Sequence, residues 1–342
     1  MFLEFYSLRE QPFGETPDAR FLYLSATHRE ALASLAYGLR SGRGFLALIA
    51  DPGMGKTTLL FHLLDWLSKS ARTVFLFQTQ SGSRDLLYHL LADLGIDAER
   101  RTLGWMQEQL KEVLITESGA GRRLVVVIDE SQNLRESVLE TIRLLSDYEN
   151  PQVKLIQIVL AGQPQLADRL ACPELTQLRQ RISIFSRLRS FTLSETEAYI
   201  RHRLAVAGCA GTQLFSPEAR AKIAEWSQGI PRNINNLCFN ALSLGFAMGK
   251  RQVDGAIVEE VARDLEISLA VGNEPSPESV IEAAPAETLP EISAEAAQSA
   301  AVSDTTSPSS ESRREPLRRY SMDWLTSRVR IQRISKPEVK YR

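Results

Sequence analysis

The sequence predicts a three-layer α/β/α fold built on a parallel sheet, followed by a small all-helical domain and a disordered tail. Within residues 1–270, apolar runs of strand length alternate with amphipathic segments of helix length. The first four of these runs are apolar nearly throughout, which is typical of parallel strands whose two faces are both covered by helices. With 342 residues, 44% of them hydrophobic, the chain is long enough to bury a large core.

Five strands are predicted, and the strand pattern stops after the last of them. The predicted strands are residues 45–50, 73–79, 124–129, 154–162 and 189–193. Four predicted helices follow, at residues 194–208, 216–229, 231–249 and 255–267. Ser216 followed by Pro217 is a typical helix start, because serine caps the free amide groups and proline lacks one. We therefore expect a helical domain after the sheet.

Composition and charge exclude several classes of protein. The formal net charge is only -2, so no overall basic field draws the chain to nucleic acid or to an acidic membrane, and any such contact must be local. Charges and a proline interrupt the first dozen residues, and no run of about 18 apolar residues occurs, so neither a signal peptide nor a membrane helix is predicted. A cytoplasmic location is expected, including the cytoplasmic face of the inner membrane.

Cysteine and histidine give no sign of a disulfide framework or of a zinc site. The three cysteines are far apart and are expected to be reduced thiols: Cys172, Cys209 and Cys238. The four histidines do not cluster with other metal ligands and are interpreted as packing or surface residues: His28, His62, His89 and His202.

The stretch ADPGMGKTT, residues 50–58, lies between the first predicted strand and a predicted helix. Such a turn aims backbone N–H groups at phosphate oxygens, and the positive end of the following helix reinforces the attraction. Gly53 and Gly55 supply backbone freedom, and Lys56 supplies a cation for the β- and γ-phosphates. Ala50 stands where the usual GxxxxGK[ST] pattern has glycine, and alanine fits there if its φ angle is negative. The predicted nucleotide-binding residues are Asp51, Pro52, Gly53, Met54, Gly55, Lys56, Thr57 and Thr58.

A pair of carboxylates completes the predicted site. Seventy-three residues after Lys56, the strand LVVVID ends in Asp129, and Glu130 follows it. We expect the Thr57 hydroxyl and Asp129 to hold Mg²⁺, Asp129 through water. Glu130 is expected to orient and activate the attacking water, as hydrolysis of a nucleoside triphosphate requires. The motifs together predict ATP and Mg²⁺ as ligands.

On these motifs, residues 1 to about 268 resemble the AAA+ ATPases of the ExeA type, also called general secretion pathway protein A, which are relatives of the transposition regulators TnsC and MuB. The stretch FYSLREQPFGETPDARFLYLSATHREAL is similar to the opening segment of that family, whose members also occur beside exosortase and exopolysaccharide gene sets. The resemblance implies an AAA+ P-loop ATPase domain over residues 1–193, with the opening segment at 1–30, and a helical lid domain over 194–270.

The resemblance also implies further site residues. AAA+ enzymes carry a polar sensor residue at the end of the fourth strand, where this chain has Gln163. They carry an arginine finger just before the fifth strand, which points into the nucleotide of a neighbouring subunit. The stretch LRQRISIFSRLRSF offers four arginines, of which Arg181 is favoured and Arg179 is the alternative. Arg232, at the start of a helix in the second domain, resembles the sensor that reports the γ-phosphate to the lid.

The composition changes abruptly after about residue 270. Residues 271–312 are rich in Pro, Ser, Ala and Glu and contain eight acids and no base, which predicts an acidic disordered linker. Residues 313–342 contain ten bases and three acids, interleaved with aliphatic and aromatic side chains, which predicts a basic amphipathic tail. We expect this tail to act as a tether to an anionic membrane surface or an acidic protein. A merely solubilising charge run is the alternative.

The predicted function is a Mg²⁺-dependent ATPase that forms a homo-oligomer and hydrolyses ATP at the subunit interfaces. Its resemblance implies that it energises or regulates assembly of a secretion or exopolysaccharide-export complex through an unknown protein partner. Two alternatives stay open: a DNA-binding ATPase of the transposition-regulator type, and a nucleotide-dependent assembly switch with little turnover. The near-neutral charge of the folded part counts against nucleic acid, and Glu130 counts against a pure switch.

Overall fold

The computed structural model describes residues 2–77, 82–149, 154–209 and 213–265. The predicted linker and tail, residues 271–342, lie outside the described residues, as do the last two residues of the predicted strand 73–79. All described residues belong to a single compact unit. Among the helices described, none is long and apolar enough to cross a membrane.

A five-stranded parallel sheet forms the centre of the structure, with the strand order β2-β3-β4-β1-β5. The strands are β1 (Phe45–Ile49), β2 (Ala71–Phe77), β3 (Arg123–Asp129), β4 (Ile156–Gly162) and β5 (Ile182–Arg187). The helices are α1 (Phe2–Phe5), α2 (Ala26–Arg40), α3 (Lys56–Leu67), α4 (Ser83–Asp93), α5 (Leu103–Gly119), α6 (Glu136–Leu145), α7 (Pro164–Ala171), α8 (Thr176–Arg181), α9 (Leu193–Val206), α10 (Pro217–Ser227), α11 (Pro231–Ala247) and α12 (Gly255–Asp264). The predicted fold class is confirmed.

Both faces of the sheet are buried, which explains why its inner strands are apolar nearly throughout. On one face, Val126 of β3 lies in a cluster with residues of α4, α5 and α6. On the other face, Val125 and Val127 lie in a second cluster with residues of α2 and α3. Because the strands are parallel, their carboxyl ends meet at one edge of the sheet. The loops after β1, β3 and β4 therefore lie side by side.

The predicted fifth strand is wrong. The strand lies at Ile182–Arg187, seven residues before the predicted start at residue 189. β5 is an edge strand that pairs only with β1 among the described strands, and its exposed residues alternate with half-buried ones, so it lacks a continuous apolar run. Within residues 189–193, Thr192 instead caps α9 and forms a capping box with Glu195. The cap ends any extended structure there.

Helices α9 to α12 match the four predicted helices and build a core of their own. The first residues of the chain pack into this helical core: Tyr6, Phe13 and Phe21 are buried in it. The Tyr6 hydroxyl donates a hydrogen bond to the Leu242 carbonyl at 2.9 Å. The opening segment was expected to belong with the sheet, but its aromatic side chains are covered by the helices. The expected domain division at residue 193 stays a prediction.

A tight crossing joins the helical core to the segment that follows β5. Gly229 has a φ of +70°, and a Cβ there would lie 2.0 Å from the carbonyl oxygen of Phe191. The backbone amide of Phe191 donates to the Gly229 carbonyl at 2.9 Å. The position requires a positive φ and leaves no room for a Cβ, and only glycine satisfies both conditions.

We predict that Gly229→Ala lowers the midpoint of thermal unfolding far more than Gly121→Ala. Gly121 has nearly the same φ, +71°, but no atom lies within 4 Å of its Cβ position. The control therefore carries only the left-handed backbone penalty of about 1–2 kcal/mol, whereas Gly229→Ala adds a backbone clash. Equal midpoints for the two variants, measured by circular dichroism, would contradict the crossing described here.

Candidate nucleotide-binding site

The turn between β1 and α3 has the geometry of an anion cradle. Gly53 and Gly55 both have left-handed backbone angles, with φ of +81° and +80°. Gly55 is the residue before the first turn of α3, which begins at Lys56. The first N–H groups of a helix have no partner within the helix and carry partial positive charge. The turn thus presents donors to an anion such as a phosphate group.

Ala50 is accommodated without strain. Its φ is not positive, so the position does not require glycine. Its side chain is buried beside β1, and its amide donates to the Gly162 carbonyl at 3.0 Å, at the end of β4. Of the neighbouring predicted residues, Asp51 and Pro52 are exposed and Met54 is buried. The departure from the usual glycine pattern therefore leaves the shape of the turn intact.

Lys56 lies between the two predicted carboxylates. Its ammonium is 3.0 Å from Glu130 Oε1 and 3.5 Å from Asp129 Oδ1, and the lysine side chain is only 7% exposed. The Thr57 hydroxyl donates to Asp129 Oδ2 at 2.7 Å. The structure thus brings together the four residues on which the predicted chemistry depends, at the ends of β1 and β3.

Glu130 is held from three sides. One carboxylate oxygen accepts from Lys56, and the other accepts from the amides of Gln132 at 2.6 Å and Gln163 at 3.1 Å. Burial acts to raise the pKa of Glu130, but the hydrogen bonds from Gln132, Lys56 and Gln163 outweigh it and hold the pKa below its ordinary value. The group is therefore a carboxylate at neutral pH.

Gln132 is a site residue that sequence reasoning missed. Besides binding Glu130, its side-chain oxygen accepts the backbone amide of Gln163 at 3.0 Å, so it links the ends of β3 and β4. A Cβ on Gly162 would lie 2.7 Å from that oxygen. The signal available in the sequence was the position two residues after Glu130, in a short turn (Ser131–Asn133) that directs the side chain back to the carboxylate.

The helical region closes one side of the cradle. Arg232, in the first turn of α11, donates its backbone amide to the Gly53 carbonyl at 3.2 Å. A Cβ on Gly53 would lie 2.7 Å from Arg232 Cβ, so this contact also requires glycine. The resulting cleft has a volume of about 590 Å³. Its lining includes residues 14–18, 21–23 and 51–58, and Glu130, Gln163, Phe191, Tyr199, Arg203, Arg232, Asn235 and Asn236.

The two candidate finger arginines lie together on α8 but differ in their contacts. The Arg181 guanidinium is bound within its own chain to Asp147 and to the Ser146 hydroxyl. Arg179 is exposed, and its guanidinium has no hydrogen-bond or ion-pair partner among the described residues. Both arginines precede β5, as the resemblance implied, and neither is among the residues that line the cleft.

The residues present fit a nucleotide-bound Mg²⁺ ion. Among the residues described, no group of three or more His, Cys, Asp or Glu side chains could hold a metal ion without other ligands. Mg²⁺ at nucleotide sites takes one or two protein ligands and completes its shell with phosphate oxygens and water. The hydrogen-bonded pair of Thr57 and Asp129 provides such ligands beside the anion cradle.

Comparison with known proteins agrees with this geometry. Residues 39–170 match the family model of the AAA domain. These residues belong to the AAA-domain family. It is 38% identical over 254 residues to general secretion pathway protein A of Aeromonas hydrophila, which covers 74% of this chain and 46% of that protein. The resemblance indicated by the motifs is confirmed, although the AAA-domain chain spans less than half the length of this relative.

Solved structures share the fold. Cdc6p from Pyrobaculum aerophilum superposes with a TM-score of 0.59 at 17% identity, over 73% of this chain and 71% of that one. The ORC2 protein of Aeropyrum pernix, described as ADPNP-ADP complexes, gives a TM-score of 0.58 at 17% identity, over 75% of this chain and 71% of that one. At this level of identity, the likeness shows that the chain shares their fold.

We predict that Gln132→Met moves the acid limb of the ATPase pH profile to higher pH. Glu130 must be deprotonated to accept a proton, and loss of the Gln132 hydrogen bond removes one cause of its lowered pKa. The wild type should keep its activity until the pH falls below the ordinary range of a carboxyl group. Gln107→Met, an exposed change on α5, serves as the control. Superimposable acid limbs for all three proteins would contradict this role of Gln132.

Proposed function

We propose that this AAA-domain protein binds ATP with Mg²⁺ and hydrolyses it. The observation that carries the proposal is the placement of Lys56, Thr57, Asp129 and Glu130 around one point beside the glycine turn. A site that only bound nucleotide would not need the carboxylate of Glu130, which three donors hold in place.

Each residue contributes a separate part of binding. The N–H groups of residues 53–58 face the β- and γ-phosphates, and the Lys56 ammonium leaves Glu130 to bind phosphate oxygens. Thr57 and Asp129 would hold Mg²⁺. The bound ion would neutralise the charge that develops on the phosphates.

Glu130 is the residue that we assign to water activation. When Lys56 binds phosphate, the Glu130 carboxylate keeps the hydrogen bonds from Gln132 and Gln163, which fix its direction. It can then accept the proton of a water molecule that attacks the γ-phosphate. Gln163, directly after β4, binds this carboxylate and lines the cleft, which suits the predicted sensor role.

We further propose that a second copy of the chain completes the site. Arg179 is the favoured finger, because its guanidinium is exposed whereas Arg181 is bound to Asp147 and Ser146. Arg232 lines the cleft beside the glycine turn, which suits a sensor that reports the γ-phosphate to the helical region. The predicted homo-oligomer follows from this arrangement.

The cellular role rests on the relative. The 38% identity to general secretion pathway protein A supports a role in energising or regulating assembly of a secretion or export complex. ATP binding and hydrolysis would change the contacts between the sheet and helical region through Arg232, and the partner complex would respond to that change. Attachment of the tail to an anionic surface or an acidic protein remains part of the proposal, on the charge of residues 313–342.

We predict that Lys56→Ala weakens ATP binding by about 100-fold or more, since a buried charge-assisted contact contributes on the order of 3 kcal/mol. Lys69→Ala, at an exposed position just after α3, is the control.

We predict that Glu130→Gln retains ATP with equal or tighter affinity, because Lys56 is released from its ion pair with Glu130. Hydrolysis by this variant should fall on the order of 10²- to 10⁴-fold. Titration with a fluorescent ATP analogue and phosphate release measure the two effects. Wild-type hydrolysis by Glu130→Gln would remove that residue from the mechanism.

We predict that Arg179→Ala lowers hydrolysis on the order of 10³-fold with ATP affinity unchanged, because an arginine finger stabilises charge only in the transition state. Arg181→Ala should lose less activity. Mixing Arg179→Ala with Lys56→Ala should restore partial activity, since an intact glycine turn can then face an intact arginine. The same mixture made with Arg181→Ala is the comparison. If activity returns only in the mixture made with Arg181→Ala, the finger is Arg181 and not Arg179.

A further inference from the structure

His28 is a buried histidine with both ring nitrogens hydrogen-bonded. It lies in the first turn of α2 and is 1% exposed. Its Nε2 is 3.0 Å from the carbonyl oxygen of Met54, in the middle of the glycine turn. Its Nδ1 is 2.7 Å from the hydroxyl of Ser25, which caps α2. The ring is therefore a bridge between the start of α2 and the nucleotide cradle, rather than only a packing residue.

The contacts assign the proton on the ring. A carbonyl oxygen only accepts hydrogen bonds, so Nε2 carries the hydrogen and donates it to Met54. The Ser25 oxygen already accepts the backbone amide of His28 at 3.4 Å, which leaves its own proton free to donate to Nδ1. Burial lowers the pKa of His28, against the opposing effect of the Met54 bond, so the ring is neutral at pH 7. Every polar atom of the bridge is thus satisfied.

The Met54 carbonyl lies in the glycine turn, so its hydrogen bond affects the shape of the cradle. Met54 is 1% exposed and lies between Gly53 and Gly55, the two residues with positive φ. Glycine allows many backbone conformations, so the turn needs outside contacts to keep its amides directed at phosphate. The hydrogen bond from His28 fixes the direction of the Met54 carbonyl within this turn.

The other side of the same helix turn contacts the helical region. The Ala26 amide donates to the Glu195 carboxylate of α9 at 3.0 Å. The Arg189 amide, in the segment after β5, donates to the Thr27 hydroxyl at 3.3 Å. The His28 ring lies 5.5 Å from the Phe191 ring, centroid to centroid. The start of α2 therefore meets the cradle, the segment after β5 and α9 together.

We propose that His28 is a positioning residue for the nucleotide. It holds the Met54 carbonyl so that the cradle keeps its phosphate-binding shape, and it ties that shape to the segment leading into the helical region. The proposal rests on the proposed ATP-binding function. Because His28 acts on the cradle and touches no reacting group, it serves ground state and transition state alike, and its loss should raise KM more than it lowers kcat.

The test compares a variant that keeps the donor with one that lacks it. His28→Gln retains an N–H near the position of Nε2, whereas His28→Leu has none. His89→Leu, at an exposed histidine on α4 that does not line the cleft, is the control. We expect His28→Leu to bind a fluorescent ADP analogue about tenfold or more weakly, as expected for an unpaired buried carbonyl. His28→Gln should recover most of that loss, and His89→Leu should bind like the wild type.

Thermal unfolding and KM-against-kcat measurements accompany each titration. If His28→Leu is folded and binds ADP like the wild type, or if His28→Gln is as weak as His28→Leu, the proposal is wrong. The outcome in which the wild type itself binds no nucleotide is distinct, since it overturns the proposed function as well.

A second pair of variants covers the case in which His28→Leu does not fold. Ser25→Ala removes the hydroxyl that orients the ring and also the cap of α2. Thr102→Ala removes a comparable cap from α5, far from the cradle. Both variants should show a similar fall in the midpoint of thermal unfolding, because each removes one helix cap, but only Ser25→Ala should weaken ADP binding. Equal ADP affinity in these two variants would also overturn the proposal.

Discussion

The buried ammonium of Lys56 is the charge to which the rest of the structure must adapt. A cation removed from water costs several kcal/mol unless anions and hydrogen bonds compensate for it. Asp129 and Glu130 supply that compensation from the end of β3, although β4 lies between β3 and β1 in the sheet. The parallel sheet brings these strand ends to one edge, where the two carboxylates lie beside the lysine. The charge cluster therefore depends on the strand order.

The cradle is built from parts of the chain that are distant in sequence. The turn supplies the amides, β3 and β4 supply the polar side chains, and α11 lies so close that Gly53 cannot carry a side chain. The turn that supplies the amides is therefore also the turn on which α11 packs. The contact between Arg232 and Gly53 excludes a side chain at position 53 and also couples the cradle to the helical region. The space for a phosphate and the position of α11 therefore depend on each other.

Local patterns in the sequence predicted the elements whose structure depends mainly on their own residues. β1, β3 and β4 are buried on both faces, so their apolar runs identify them without knowledge of their neighbours, and the glycine turn is contiguous. β5 was misplaced because an edge strand is half-exposed, and its alternation is weak beside the apolar residues that follow.

Site residues were harder to predict where their partners come from other parts of the chain. His28 and Gln132 act on residues brought near by the folded sheet, at Met54 and Gln163. No spacing in the sequence encodes those approaches. The contacts of Arg181 with Asp147 likewise depend on how α6 and α8 pack. Motifs therefore gave the chemistry of the site, while tertiary packing determines which side chains support it.

The burial of the opening segment in the helical core has a consequence for biosynthesis. Tyr6 bonds to Leu242, 236 positions later in the chain, so this part of the molecule has a high contact order. During translation at about 5–20 residues per second, Tyr6 and its aromatic neighbours wait for roughly ten seconds or more before their partners leave the ribosome. The sheet can condense during that interval, but the segment stays uncovered. A nascent chain of this protein thus exposes an aromatic segment until the residues of the helical core have been synthesised.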